Sequence, residues 1–567
     1  MWRAGALAAV AAAWLVACGG GSDTDRRDTR PDAQASRGGT LEVLSSSDAD
    51  SLDPARAYAF GAWAILMQVH RPLYAFTEGR EPVPDLAAGP PQISADGRTV
   101  TVRIRGGVRF GAPVDREVVA ADVRNAIERG FRPSVVSPYA ESYFGDLEGV
   151  EAFRSGRAEH IAGIELPDDR TLRFRLARPR AALLVNALAL LITAPVPSEV
   201  SRAADRGRTS TYDRRAVPTG PYRITAYKPG VRIELERNAG HSSQGDFRRA
   251  LPDRIVWRVR SDIAVASRQV LQGRGRLLGF GPPPPAGILR DVARGRYAGR
   301  TGAVQASGTL VYSLDTSRPP LDDVNVRRAI LAGADRRALQ LSQGGEVAGE
   351  IATHYLPPTI PGWEEAGGAA GPGVDFLRRP EGDPKLAASY LRKAGFPSGR
   401  FDGPSVELLS VVGLSTGEVL QQQLEKLGFR VKLRNLNPDA LFSRCGSPGR
   451  KPHICIGPWA ADFFDGEAFL GPVLDPASIN PEFTLNMSAL RDERLARAFD
   501  AARLKVDPAE RARAWGQVDR TATELAPALP VVWGGRSTLL RSRDVRAGVS
   551  EWLGWWDLSS AGLVRTP

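Results

Sequence analysis

The chain of 567 residues is poor in residue types that carry much of protein chemistry: it has 3 cysteines, 5 histidines and only seven lysines. The histidines, at 70, 160, 241, 354 and 453, are scattered. No HExxH pair and no two histidines at ligand spacing occur, so no metal site is expected. Neither a Walker A segment nor a GxGxxG turn is present, and nothing supports nucleotide binding or any other cofactor. Long apolar runs are missing as well. The longest internal one, residues 181–196, carries Asn186 and Pro195. About 20 apolar residues are needed to cross hydrocarbon, so this run reads as a buried core segment. The mean hydropathy of −0.23 excludes a polytopic membrane protein. No short period occurs, which excludes collagen-like and coiled-coil arrays.

What is present is ordinary globular material, 43% hydrophobic and 25% charged, long enough for about two to four domains. The net charge of +11 is almost entirely an arginine effect. Arginines are spread along the chain and usually sit next to acids, as in Asp122-Val-Arg124 and Arg491-Asp-Glu-Arg494. A nucleic-acid protein gathers its cations on a face or tail, so no nucleic-acid partner is expected.

Met1-Trp-Arg3 makes a short charged start, and Gly5 to Val16 an apolar stretch too short for a stable span. It ends in Leu15-Val-Ala-Cys18, followed by three glycines and Ser22. This resembles the lipobox of bacterial lipoproteins, in which the cysteine thiol is acylated and the chain is cut before it. The resemblance implies a lipoprotein signal peptide over residues 1–17, lipidation at Cys18 and an extracytoplasmic body anchored to the cell membrane. Residues 18–38, polar with balanced charge, read as a flexible tether. In that compartment Cys445 and Cys455, bracketing a turn-rich loop, are expected to form a disulfide. A metal site from Cys445, His453 and Cys455 lacks a clear fourth ligand.

Along the body, strands with period-2 alternation are expected at Thr99 to Arg105 and Arg170 to Leu176. Helices are expected at Phe60 to Val69, Ala120 to Arg129 and Pro508 to Leu525, and a βα unit at residues 406–434. Mixed sheets with interleaved helices make the fold class α/β.

These stretches, in order, resemble the solute-binding proteins of bacterial ABC importers, family 5 (peptide/nickel type). The resemblance is carried by Gly38-Gly-Thr-Leu with Leu52-Asp-Pro54, Ser94 through Phe110, and Val118-Val-Ala-Ala-Asp-Val123. It continues through Pro218-Thr-Gly-Pro-Tyr222, Leu321 through Ile330, Leu420 through Phe429, Trp459-Ala-Ala-Asp-Phe-Phe-Asp465 and Ala526 through Val532. It implies a two-lobed periplasmic-binding-protein-like fold of type II, in the large three-subdomain form with a hinge. Lobe 1 would take residues 39–308 and 491–567, with an inserted subdomain at about 71–195, and lobe 2 residues 309–490. The implied function is capture of oligopeptides or dipeptides by hinge closure and delivery to an ABC permease and its ATPase, by a monomer that is not an enzyme. The alternative cargo within the fold is nickel chelates, opines or oligosaccharides.

In peptide-binding members the carboxylate of a Trp-x-x-Asp motif pairs with the ligand's ammonium group. Here that position is Asp462, three residues after Trp459, and the competing reading makes Asp462 a cap of the following turn. Ser45, Ser46, Ser47, Tyr58 and Trp363 are further candidates for the lining. The aromatic group Trp552, Trp555 and Trp556 reads as core or cleft. One alternative from another class is a lipoprotein hydrolase. Gly413-Leu-Ser-Thr-Gly417 fits G-x-S-x-G between a strand and a helix. Its triad would need Ser415, Asp439 and His453 within about 40 residues, far tighter than the hydrolase fold uses.

Overall fold

The computed structural model describes residues 35–564 apart from positions 78, 260, 282, 448, 450 and 481–483. The expected signal peptide, Cys18 and most of the tether lie outside the described residues. The fold is α/β and two-lobed, built around two large mixed sheets.

The first sheet has five strands in the order Arg276–Leu278, Thr40–Leu44, Arg254–Arg258, Arg232–Arg237, Tyr222–Lys228. Thr40–Leu44 is parallel to both of its neighbours, and the remaining pairs are antiparallel. Leu41 and Val43 point into the core, while Glu42 points out to Arg258 and Arg276. A four-stranded antiparallel sheet of Gln92–Ile93, Thr99–Arg103, Thr171–Arg175 and Ile164–Asp168 stands beside it. Its alternation follows the sequence pattern: Val100, Val102, Leu172 and Phe174 are buried, and Arg173 and Arg175 meet Glu165 outside. The apolar run at 181–196 is core, as expected, folded as a short helix Ala181–Ala187 and a further helical turn Leu191–Thr193.

The second large sheet has six strands, ordered Gly349–Ile351, Ala528–Gly534, Gly308–Leu314, Ile454–Ala460, Val406–Val411, Val431–Leu436. Tyr312, Leu314, Leu408, Ile454 and Ile456 pack on one face against the helices that carry Ile330, Leu391 and Leu420. Cys445, in the helix Pro438–Gly446, and Cys455, in the strand Ile454–Ala460, are joined by a disulfide. Removing it with the pair Cys445→Ala, Cys455→Ala is expected to lower unfolding free energy by about 2–3 kcal/mol, the loop-closure value for so short a loop. A urea titration of oxidised wild type beside the variant measures it.

The chain passes between the two sheets along a narrow ribbon. Thr301–Gln305 runs antiparallel to Arg536–Leu540, and just beyond it Gly308–Leu314 runs antiparallel to Ala528–Gly534. Between these pairings lie Ala306 and Ser307 on one pass and Gly535 on the other. Ala306 N donates to Gly535 O at 3.2 Å, and Gly535 N to Ala348 O at 2.9 Å. Gly534 is required here by close approach, since a Cβ on it would lie 2.6 Å from the Ala306 methyl. The expectation that residues 491–567 all belong with the first lobe is corrected by this topology. The strand Ala528–Gly534 is an inner strand of the six-stranded sheet, and the helix Pro508–Leu525 before it packs on the helix Gly466–Leu474. The return to the first sheet therefore comes at Gly535. The strand Ile454–Ala460, unmarked by alternation because Gly457 and Pro458 interrupt it, is a central member of the second sheet.

Among the described residues, no helix is long and apolar enough to cross a membrane.

Candidate functional site

The strand Ile454–Ala460 ends in Trp459, and the chain then turns toward the first lobe. Asp462, on that turn, is partly buried, and Tyr143 Oη donates to its Oδ2. The Tyr58 phenol faces the same carboxylate. Trp552 Nε1 donates to the Asp462 backbone carbonyl at 2.8 Å. Burial pushes the Asp462 carboxyl up to about 6, with the Tyr143 and Tyr58 hydroxyls holding it back. Those two phenols are in turn pushed above their ordinary value, by burial first and then by the Asp462 charge.

The surroundings are aromatic. Tyr143 stands 5.1 Å from the Phe463 ring and 6.5 Å from Tyr139, which lies 5.5 Å from Tyr58. Tyr139 Oη donates to Ala57 O and accepts from Trp63 Nε1. Trp552 packs on Trp63 and Phe76, and Phe76 on Phe464. The loop bearing Tyr58 is held by two acids. Asp50 accepts from the Tyr58 and Ala59 amides at 2.7 and 3.1 Å. Asp53, of the Leu-Asp-Pro motif, is buried, accepts from the Ala55 amide and pairs with Arg129 at 2.8 Å.

Trp459 also lines a cavity of about 730 Å³ with a predominantly apolar wall. Thr309, Val311, Trp459, Leu441, Phe469 and Met487 are among its lining. That size is inside the roughly 300–1,000 Å³ range of small-molecule sites. Trp459 Nε1 is tied to Phe469 O at 2.8 Å, which fixes the indole as one wall.

The structure thus brings Tyr58 to Asp462, while Trp459, three residues earlier, lines the cavity. The capping role competing for Asp462 belongs instead to Asp465, whose side chain accepts from Glu467 N at the start of the helix Gly466–Leu474. Ser45 and Ser46 turn their hydroxyls to Phe280 O, and Ser47 is exposed. Trp363 does not reach the Asp462 cluster: it packs 5.5 Å from Trp533 and 6.3 Å from His354. Trp555 and Trp556 are core residues bonded to Leu278 O and Leu540 O, whereas Trp552 lies at the junction. Sequence reading missed Tyr143 and Asp50. The only local signal for Tyr143 was its spacing of four from Tyr139, which puts both rings on one side of the helical turn Ala140–Phe144.

The hydrolase alternative fails on geometry. Ser415 follows the carboxyl end of the strand Val406–Val411, while His453 lies at its amino end, where its Nδ1 accepts from Glu407 N at 3.0 Å. A six-residue strand is about 20 Å long, so serine and histidine are kept a strand's length apart.

A sequence profile of the bacterial extracellular solute-binding proteins, family 5 Middle, matches residues 81–481. The chain belongs to this family. Heme-binding protein A of Haemophilus influenzae is 24% identical over 532 residues, covering 91% of each chain. Di/tripeptide-binding protein 2 of Pseudomonas aeruginosa is 24% identical over 517 residues, 87% of this chain and 89% of the relative. Among solved structures, clavulanic acid biosynthesis oligopeptide binding protein 2 superposes with a TM-score of 0.83 at 30% identity, covering 94% of this chain and 96% of the other. As a family 5 solute-binding protein, the chain has its Trp459–Asp462 turn where the last strand of the matched region leads toward the other lobe.

Proposed function

We propose that this solute-binding protein captures di- or oligopeptides through their free amino terminus, closes by rotation about the Ala306/Gly535 crossings, and delivers them to an ABC permease with its ATPase. In this reading Cys18 carries a lipid that anchors the body on the outer face of the membrane, and the protein works as a monomer. The observation that carries the cargo reading is Asp462. It is a carboxylate with two phenols as its polar neighbours and no cation within ion-pair reach among the described residues. Charge in such a setting calls for a counter-ion, and an α-ammonium group offers one through charge-assisted hydrogen bonds. The apolar cavity beside Trp459 offers room for the side chains that follow. Names of the relatives, among them a di/tripeptide-binding and an oligopeptide-binding protein, support peptide cargo.

Closure needs a ligand that touches both lobes, since one bound equally by open and closed forms shifts nothing. An ammonium at Asp462 meets that condition, because Tyr58 and Tyr143 approach the carboxylate from the first lobe. Titration calorimetry with a dipeptide and its N-acetyl counterpart tests the reading: the free amine is expected to bind, and the acetylated one at least tenfold more weakly. Equal binding, or none of either, sinks it.

A pH dependence follows. The amine-bearing cargo needs Asp462 ionised, and burial pushes this carboxyl up to about 6. Affinity for the free-amine dipeptide is therefore expected to fall as pH drops below about 6, by up to about tenfold per unit. The N-acetyl peptide should show no such slope. Calorimetry at a series of pH values checks both.

A further inference from the structure

Buried arginines in this protein follow a pattern. Arg71 and Arg248 pair with Asp85, Arg129 with Asp53 and Asp205, and Arg511 with Asp465. Arg327 has no carboxylate, yet its three nitrogens all donate, to the carbonyls of Ala526, Leu321, Asp322 and Leu525. Arg336 breaks the pattern. It is 1% exposed, and its two Nη groups donate to Ala352 O and Leu377 O, but its Nε has no acceptor. No carboxylate lies within ion-pair distance of it among the described residues. Burial with no neighbouring carboxylate in ion-pair contact draws its guanidinium down to about 10, with distant Glu381 opposing.

Arg336 lines a cavity of about 1130 Å³. The cavity shares no lining residue with the one beside Trp459 and lies on the other side of the Gly535–Ala348 hydrogen bond. Its walls come from both sides of the crossing ribbon: Val292 of the helix Ala286–Ala293 on one, and Gly349–Ile351 with the loop 369–374 on the other. The exposed side chains of Arg337 and Arg378 stand at its rim, together with Arg536, Glu346 and Glu350. A buried guanidinium without a carboxylate partner, in the wall of a cavity rimmed by further arginines, favours an anion there, because it lacks a counter-charge and guanidinium groups pair readily with a carboxylate or phosphate.

We propose that this hinge-side cavity is a binding site for a small molecule bearing a carboxylate or phosphate group, with Arg336 as its buried counter-charge and Arg337 and Arg378 as rim contacts. The site is independent of the cargo site at Asp462 and does not rest on the peptide reading.

The test uses the whole mature chain, titrated calorimetrically with citrate and, separately, with inorganic phosphate at constant ionic strength set with sodium chloride. Saturable one-to-one binding of at least one of the two is expected. Arg336→Gln should weaken it at least tenfold. Should that variant fail to fold, the pair Arg337→Glu, Arg378→Glu, exposed and outside the core, should weaken binding by a similar factor with an unchanged thermal midpoint in the absence of anion. Asp462→Asn should bind the same anion with wild-type affinity. No saturable binding of either anion, binding untouched by the rim reversal, or loss of binding in Asp462→Asn would each overturn the proposal.

Discussion

Replacing Asp462 with Asn is expected to weaken binding of a free-amine dipeptide roughly 100-fold, which corresponds to on the order of 3 kcal/mol. Asparagine keeps the size of the side chain and an oxygen that can accept from Tyr143, so the aromatic surroundings stay filled. What it removes is the charge. Hydrogen bonds to an ionised group are about twice as strong as neutral ones. Much of the loss also comes from leaving an ammonium in the junction without a counter-ion. The N-acetyl dipeptide, having no ammonium, should bind wild type and variant alike. The variant should also lose the slope of affinity around pH 6, because the group that titrates is gone. Unchanged affinity of Asp462→Asn for the free-amine peptide means that the carboxylate does not hold the amine.

The second large effect concerns stability. Glu467, on the helix Gly466–Leu474, is 3% exposed and surrounded by arginines. Arg503 approaches it at 2.8 Å and Arg511 at 3.3 Å, and Arg180 reaches the same carboxylate from the other lobe. Burial alone would raise this carboxyl, but Arg180, Arg503 and Arg511 outweigh it and hold it below its ordinary value of 4.5. Glu467→Gln takes the shared carboxylate from three arginines, each of which keeps another: Arg180 has Asp146, Arg503 has Asp475 and Arg511 has Asp465. The expected cost is therefore about 3 kcal/mol, the lower end for breaking a buried pair from one side. A urea denaturation series at neutral pH measures this loss. The sign of the pH dependence follows from the depressed value. Glu467 contributes its stability above about pH 4.5 and loses it as pH falls through the folded-state value below that. The difference between wild type and Glu467→Gln should therefore shrink in acid. A variant as stable as wild type at neutral pH would show that the arginines find equal partners elsewhere.

Both effects draw on contacts of very different legibility. The strands Thr99–Arg103 and Thr171–Arg175 were readable because burial on one face imposes a period of two on neighbouring residues. Ordered short motifs, Leu-Asp-Pro at 52–54 and Trp-x-x-Asp at 459–462, were enough to suggest the family, and the family implied where the carboxylate would be. Short spacing did the same for Cys445 and Cys455. Each of these signals is local, or repeats a pattern shared by relatives.

The partners of Asp462 were not readable in that way. Tyr143 is 319 positions away along the chain, and Trp552 is 90. No periodicity links such residues, since their meeting depends on how two sheets are placed about the ribbon at Ala306 and Gly535. The same placement separated Ser415 from His453 although only 37 residues divide them, because a parallel strand pair puts a following loop and a preceding residue at opposite ends. It also moved the return crossing to Gly535, a position that depends on which sheet accepts Ala528–Gly534 as a strand. Local chemistry chose the elements and the charged side chain. Packing between distant segments chose its neighbours, and with them the burial that lifts the Asp462 carboxyl toward neutral pH.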